Sequence, residues 1–261
     1  MSYFRLTKWY LDCVSDSGHA LIGYAALVRW RGVRLALSGL LTHDGNTAPS
    51  RAHLSFCWRP PVESADMINW NSRSLALSGR WCTCAPPIHR VLHQAGGNEI
   101  IWHCHQPSSL VSVNLGDGRT IAGRGYVERL NMTGWPQEIG LRHLQWGRFV
   151  SEDQSVIWIC WNNDLAQTRL MYNGHDVVGS VGDGRVASDG QFELCMSDSR
   201  LLRKGAIGTT ALGSVPLIRA VLPGHVTSIN EEKWLSKGTL TRADGSSVVG
   251  WTIHERVTFD V

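Results

Sequence analysis

The sequence predicts an all-β protein built as two similar halves in tandem, each a β-barrel or sandwich. Three observations predict it. Apolar runs of strand length recur between turn signals, helical periodicity is weak, and a segment near the middle of the chain returns near its end.

Leu21–Trp30 is apolar and strand-like, and Gly32–Leu41 repeats the pattern before a turn at His43–Thr47. Ile100–His105, Ser109–Leu115, Arg124–Leu130 and Ser155–Trp161 read as further strands. Turn signals separate them at Gly96-Gly97, Gly116–Gly118, Asp153, Asn162-Asn163, Asn173-Gly174 and Asp183-Gly184. One short helix is expected near Ile88–Gln94, because Pro86-Pro87 suits a helix start. Short strands with regular turns belong to sandwiches and barrels.

Asp117–Leu130 aligns without gaps on Asp244–Val257, and Asp, Gly, Gly, Glu and Arg coincide. The offset is 127 residues, as from Glu128 to Glu255, close to half of the 261-residue chain. Duplication explains it, with each half closing on a turn, a strand and a Glu-Arg pair. The expected division is 1–134 and 135–261, with the halves meeting near 131–145 in a pseudo-twofold arrangement.

A hydrophobic content of 43% supports a packed core. The net charge of +3 is scattered, with no basic run to track a phosphate backbone, so nucleic acid is not an expected partner. Seven cysteines, an odd number, and an opening Met1–Leu11 that lacks a charged start and an apolar run predict free thiols in the cytoplasm. Twelve tryptophans against five phenylalanines and five tyrosines exceed what core packing asks, so some should line a pocket. Gly-x-Ser-x-Gly is absent, and neither Gly182–Gly184 nor Gly123–Gly125 opens a helix, which disfavours serine-nucleophile, nicotinamide and ATP chemistry. Cys82-x-Cys84 has no second pair for zinc.

The densest constellation is Trp102-His-Cys-His105 with Tyr126-Val-Glu128. Alternate residues of a strand share a face. His103 and His105 therefore point one way and Trp102 and Cys104 the other, while Tyr126 and Glu128 share a face. If the strands are neighbours, the histidines, the phenol and the carboxyl converge in a pocket, and Trp102 supports structure. The bland alternative turns the histidines to water. A metal reading competes: two His and Glu128 could form a facial triad. The cupin pattern would need a carboxylate soon after His105, and Gln106–Leu110 has none, so neither metal nor cofactor is expected.

Trp102–Pro107, Gly123–Leu130, Leu144–Phe149 and Val156–Trp161 resemble the carotenoid 1,2-hydratase (hydroxyneurosporene synthase) family. Lys8–Tyr10, Gly23–Trp30 and Gly250–Val257 extend the resemblance over most of the chain. It implies a lipocalin-like fold with two β-barrel-like halves, related to tocopherol cyclases, kievitone hydratase and lipocalin-like Diels–Alderases. It also implies catalytic roles for His103, His105, Tyr126 and Glu128, with His105 standing where the family has an aromatic and Glu128 where it has Asp. Trp146, Trp30 and Tyr24 follow as substrate-binding candidates.

The expected chemistry is acid-initiated hydration or cyclisation of an alkene in a hydrophobic isoprenoid or polyketide-like molecule. Glu128 would donate the proton, Tyr126 and a histidine would orient it, and Trp faces would stabilise the cation by about 0.5–2 kcal/mol each. A pericyclase and a non-catalytic carrier of a hydrophobic ligand stand as alternatives. Peripheral membrane contact and oligomeric state are left open.

Overall fold

The central strands bury consecutive residues on both faces, as over 9–14 and 146–150, and the architecture explains why. A computed structural model describes residues 4–162, 166–215 and 222–259. The first sheet contains β1 (Arg5–Val14), β2 (Ala20–Trp30), β3 (Val33–His43), β4 (Ser50–Ser55), β5 (Val62–Ser64), β6 (Met67–Ser72), β7 (Leu77–Thr83), β8 (Ile88–Ala95), β9 (Asn98–Leu115) and β10 (Thr120–Thr133). The second contains β11 (His143–Val150), β12 (Ser155–Asn162), β13 (Ala166–Tyr172), β14 (His175–Val177), β15 (Gly179–Gly182), β16 (Arg185–Ser188), β17 (Phe192–Ala206), β18 (Asn230–Arg242) and β19 (Ser247–Thr258). A four-residue helix, α1 (Gly224–Thr227), lies between β17 and β18.

The order β4-β3-β2-β1-β10-β9-β7-β6-β5 in the first sheet matches β14-β13-β12-β11-β19-β18-β17-β16-β15 in the second, with β8 added on β9. The strand pairs among the described residues are antiparallel, and in each half the first strand pairs with the last. The fold is therefore the all-β tandem of two curled, nearly closed lipocalin-like sheets. The repeat survives in backbone detail. Gly118 and Gly245 follow Asp117 and Asp244 at φ +84° and +83°, and the two aspartates accept hydrogen bonds from the backbone N–H of Arg119 and Ser246. A positive φ of this size suits glycine, which has no Cβ to clash.

Among the described residues three large buried clusters and a small one around Val215 and Leu222 form the core. Trp9, Leu11, Trp70, Trp81 and Val127 pack inside the first sheet, and Phe149, Trp158, Leu194 and Leu240 inside the second. Tyr10, Ile22, Trp102, Tyr126, Trp146, Ile157 and Ile253 form a third, drawn from both sheets. Each central strand thus sends alternate residues to its own core and to the shared one. Close packing requires small residues at set points: a Cβ on Gly147 would lie 2.1 Å from the Trp158 ring. Across the shared face Arg148 Nε and Nη2 donate to Asp12 Oδ2 and Oδ1 at 2.9 and 2.6 Å, and Arg148 Nη1 donates to the Trp251 carbonyl at 2.8 Å.

Ile88–Gln94 is not a helix. It lies in β8, paired antiparallel with β9 through a hairpin turn at Gly96-Gly97, whose φ values are +60° and +80°. Two consecutive positive φ values favour the tight turn that brings strands together, and cross-strand pairing overrides the proline start signal. Pro107, which lacks an N–H donor, sits where β9 changes partner from β8 to β7. Asn163, half of one expected turn, lies outside the described residues. Among the described residues no helix is long and apolar enough to cross a membrane.

Candidate active site

Register, more than strand alternation, builds the site. On β9 and β10, Glu128 pairs with Cys104, Leu130 with Trp102 and Arg129 with His103. Directly paired residues project to the same face. Glu128 therefore shares its face with Cys104 and Trp102, and the histidines belong to the other. Shifts of register between Gly125 and Val127 and between Val127 and Glu128 set this phase.

The face carrying Glu128 borders a cavity of about 290 Å³ between the two sheets. Leu6, Trp102 and Leu130 line it from the first sheet, and Trp146, Ile159 and Trp161 from the second. Trp135, Ile139 and Leu141, from the connection between the sheets, close one side. Lys8, His93, Glu128, Glu231 and Glu255 are the polar or ionisable lining residues.

Glu128 is 8% exposed. The Tyr126 hydroxyl donates to its Oε2 at 2.7 Å, and Trp102 Nε1 donates to the same oxygen at 2.5 Å. No partner ties Oε1 among the described residues. Burial, with Cys104 and Glu128 nearby, raises the Tyr126 phenol well above its ordinary range, so it stays a donor. The sequence placed Tyr126 and Glu128 on one face, and the structure brings them together.

His103 and His105 do not reach this cavity, which corrects the expected convergence. They stack on each other at 3.8 Å on the opposite face, where His105 also stacks on Trp9 at 4.6 Å. His105 Nδ1 lies 3.0 Å from Glu63 Oε1. Burial, then His105 and Arg129, pushes His103 down to about 4. Two ligands facing away from Glu128 cannot form a triad with it. Trp102, read from the sequence as structural, is corrected too: it lines the cavity and holds the carboxyl. The physical reason is common to both: alternation says which residues share a face, and only register says which face meets the neighbour.

Trp146, a substrate-binding candidate from the sequence, lines the cavity. Trp30 instead supports the wall from behind, edge-on to Trp135 at 5.7 Å. Tyr24 lies in a smaller adjoining cavity of about 190 Å³, where its oxygen accepts a hydrogen bond from Arg203 Nη2 at 3.2 Å.

Several buried charges were missed. Lys233 is 0% exposed and ion-paired with Glu255, its cross-strand neighbour. Its Nζ also lies 3.9 Å from Glu231 Oε1 and 5.7, 6.0 and 5.9 Å from the ring centres of Tyr10, Tyr24 and Trp146. Burial pushes Lys233 down to about 7, with Glu231 opposing and Arg203 adding to the shift. Arg203 clamps Glu231 through Nε and Nη2 at 2.8 and 3.0 Å. Burial alone would raise the Glu231 carboxyl, but Lys233 and Arg203 outweigh it and hold it below the usual range. The sequence did hold a signal for Glu255, since the repeat aligns it with Glu128. Lys233 and Asp12 had none, because their partners are distant in the chain or depend on register.

No protein-family model matches the chain, and no curated protein matches it in sequence. Solved structures do. An AttH-type protein of Nitrosomonas europaea superposes with a TM-score of 0.55 at 12% identity, over 98% of this chain and 92% of that one. Kievitone hydratase of Nectria haematococca gives 0.55 at 8%, over 98% and 89%. CghA in complex with Sch210972 gives 0.52 at 10%, over 98% and 89%. At such identities the likeness establishes a shared fold. The class defined by fold and cavity is a tandem lipocalin-like protein with a carboxyl-bearing apolar pocket between its halves. Kievitone hydratase, a relative of the family that the sequence resembles, is among the proteins that share this fold.

Proposed function

We propose that the chain is a cofactor-independent enzyme that starts hydration or cyclisation of an alkene by protonating it from Glu128. The substrate would be a hydrophobic isoprenoid or polyketide-like molecule held between the sheets. One observation carries this reading: a buried carboxyl lines an apolar cavity with both its neutral donors on one oxygen. Protonated on Oε1, with Oε2 held by Tyr126 and Trp102, it presents an oriented acid to a π bond. Trp102, Trp146 and Trp161 line the cavity, and their rings would stabilise the resulting cation. A hydratase with the same fold supports the reaction class.

The test begins with metabolites. Cells with and without the gene are compared, and purified protein is incubated with an extract of the gene-deleted cells, which contains the unconverted precursor. Glu128→Gln is expected to lower product formation at least about 100-fold with folding intact, since Gln keeps the shape but donates no useful proton. Product made in D2O should carry one carbon-bound deuterium. A pericyclase favours the same apolar walls but predicts no deuterium and a mild effect of Glu128→Gln. A carrier predicts binding without conversion.

A further inference from the structure

We propose that Glu255 is the general base of this cavity, the counterpart of the acid Glu128. The inference rests on the proton-donor reading of Glu128 and adds the group that receives a proton at the end of the reaction. Lys233 is its positioning residue.

Place comes first. Glu255 lies 127 residues after Glu128, and β19 stands in the second sheet where β10 stands in the first. Both glutamates border the same cavity. Their strand neighbours meet as well: Tyr10 pairs with Glu128, Trp146 pairs with Glu255, and the Tyr10 and Trp146 rings are 5.0 Å apart. The duplicated fold has thus delivered two carboxyls to one apolar chamber from opposite sheets.

Surroundings then separate their roles. Glu128 is held by neutral donors and faces Cys104 across the strands. Glu255 has an ammonium, Lys233, at the position equivalent to Cys104. A protonated Lys233 in contact favours the charged carboxylate, which accepts a proton, while a carboxyl whose hydrogen-bond donors are neutral suits the group that gives one. Glu231 also borders the cavity but is a poorer base, because Arg203 takes both its oxygens. In Glu255 the contact with Lys233 falls on Oε2, and no partner holds Oε1 among the described residues.

The reaction balances. The alkene π pair takes the proton from Glu128 and forms a C–H bond, leaving a cation on the adjacent carbon. In hydration, a water oxygen forms the C–O bond as one of its O–H bonds breaks toward Glu255. The sum is addition of water across C=C. In cyclisation, an internal alkene or hydroxyl attacks, and the proton it sheds goes to Glu255, so the sum is isomerisation. Either way Glu128 gives one proton to carbon and Glu255 takes a different one from water or substrate, and exchange with solvent after product release restores both.

The extract of gene-deleted cells serves again as the substrate source, and Nile red reports occupancy of the cavity. Glu255→Gln is expected to form product at least about 100-fold more slowly than wild type, with unchanged Nile red binding. Should Gln beside an unpaired Lys233 prevent folding, Glu255→Gln with Lys233→Met removes both charges together and decides. A folded, inactive double variant supports the base. A double variant as active as wild type overturns it, leaving Glu255 a mere counter-charge for Lys233. Activity of Glu128→Gln at wild-type level would instead end the proton-donor reading, a failure seen in a different protein.

Discussion

The two walls of the cavity use the same backbone and different chemistry. In the first half the strand neighbours are Tyr10, Glu128 and Cys104; in the second they are Trp146, Glu255 and Lys233. The carboxyl keeps its place, and one cross-strand residue decides whether it meets a thiol or an ammonium. Two residues beyond Tyr10 and Trp146, the halves carry Asp12 and Arg148, and these join across the shared face. A duplicated fold can thus differentiate one site by single changes at paired positions, without moving the backbone.

The largest expected effect comes from breaking that join. Asp12→Leu leaves Arg148 buried and unpaired and should cost about 3–5 kcal/mol, read by urea unfolding. Combining it with Arg148→Met should recover most of the loss. If the single variant is as stable as wild type, Asp12 does not fasten the halves.

Next is the contrast at the paired positions. Lys233→Met leaves Glu255 and Glu231 without their ammonium and should cost about 3 kcal/mol or more. Cys104→Ala removes one small buried group and should cost about 1 kcal/mol. Equal losses in the two variants would erase the difference claimed for the two walls.

A pH dependence follows from the second half. His254, whose Nε2 lies 2.9 Å from Ser236 Oγ, is pushed down to about 4 by burial and then by Lys233. Its unfolded value is 6.5, so the unfolded chain binds more protons between these values. Stability from this group is complete above 6.5 and falls as pH drops toward 4. The expected loss is on the order of 2–3 kcal/mol. His254→Gln should make that limb of a stability profile shallower, with His103 supplying the remainder, and an unchanged profile would refute the assignment.

The smallest effect is Tyr126→Phe. It deletes one of two donors to Glu128 while keeping the ring, and should cost about 1 kcal/mol in stability. Its effect on turnover should be smaller than that of Glu128→Gln, since the acid itself remains.

Legibility followed the range of the interactions. Asp117-Gly118 and Asp244-Gly245 announced the same turn twice because a turn depends on a few adjacent residues. Tyr126 and Glu128 could be placed on one face because parity is local. The Ile88–Gln94 segment misled because its proline signal is local but its strand partner is not. The histidines misled because a carboxyl's face relative to the neighbouring strand is a property of the pair.

By itself, then, the sequence determined the all-β class, the tandem repeat and the pairing of Tyr126 with Glu128. Tertiary structure alone decided that Trp102 rather than His105 meets Glu128, that Trp30 stands behind the cavity wall, and that Asp12 finds Arg148. It also decided that Lys233 lies buried in a box of rings contributed by both halves. The physical reason is that backbone conformation and side-chain parity are set within a few residues. Register, sheet curvature and the meeting of two sheets are set by packing across more than a hundred.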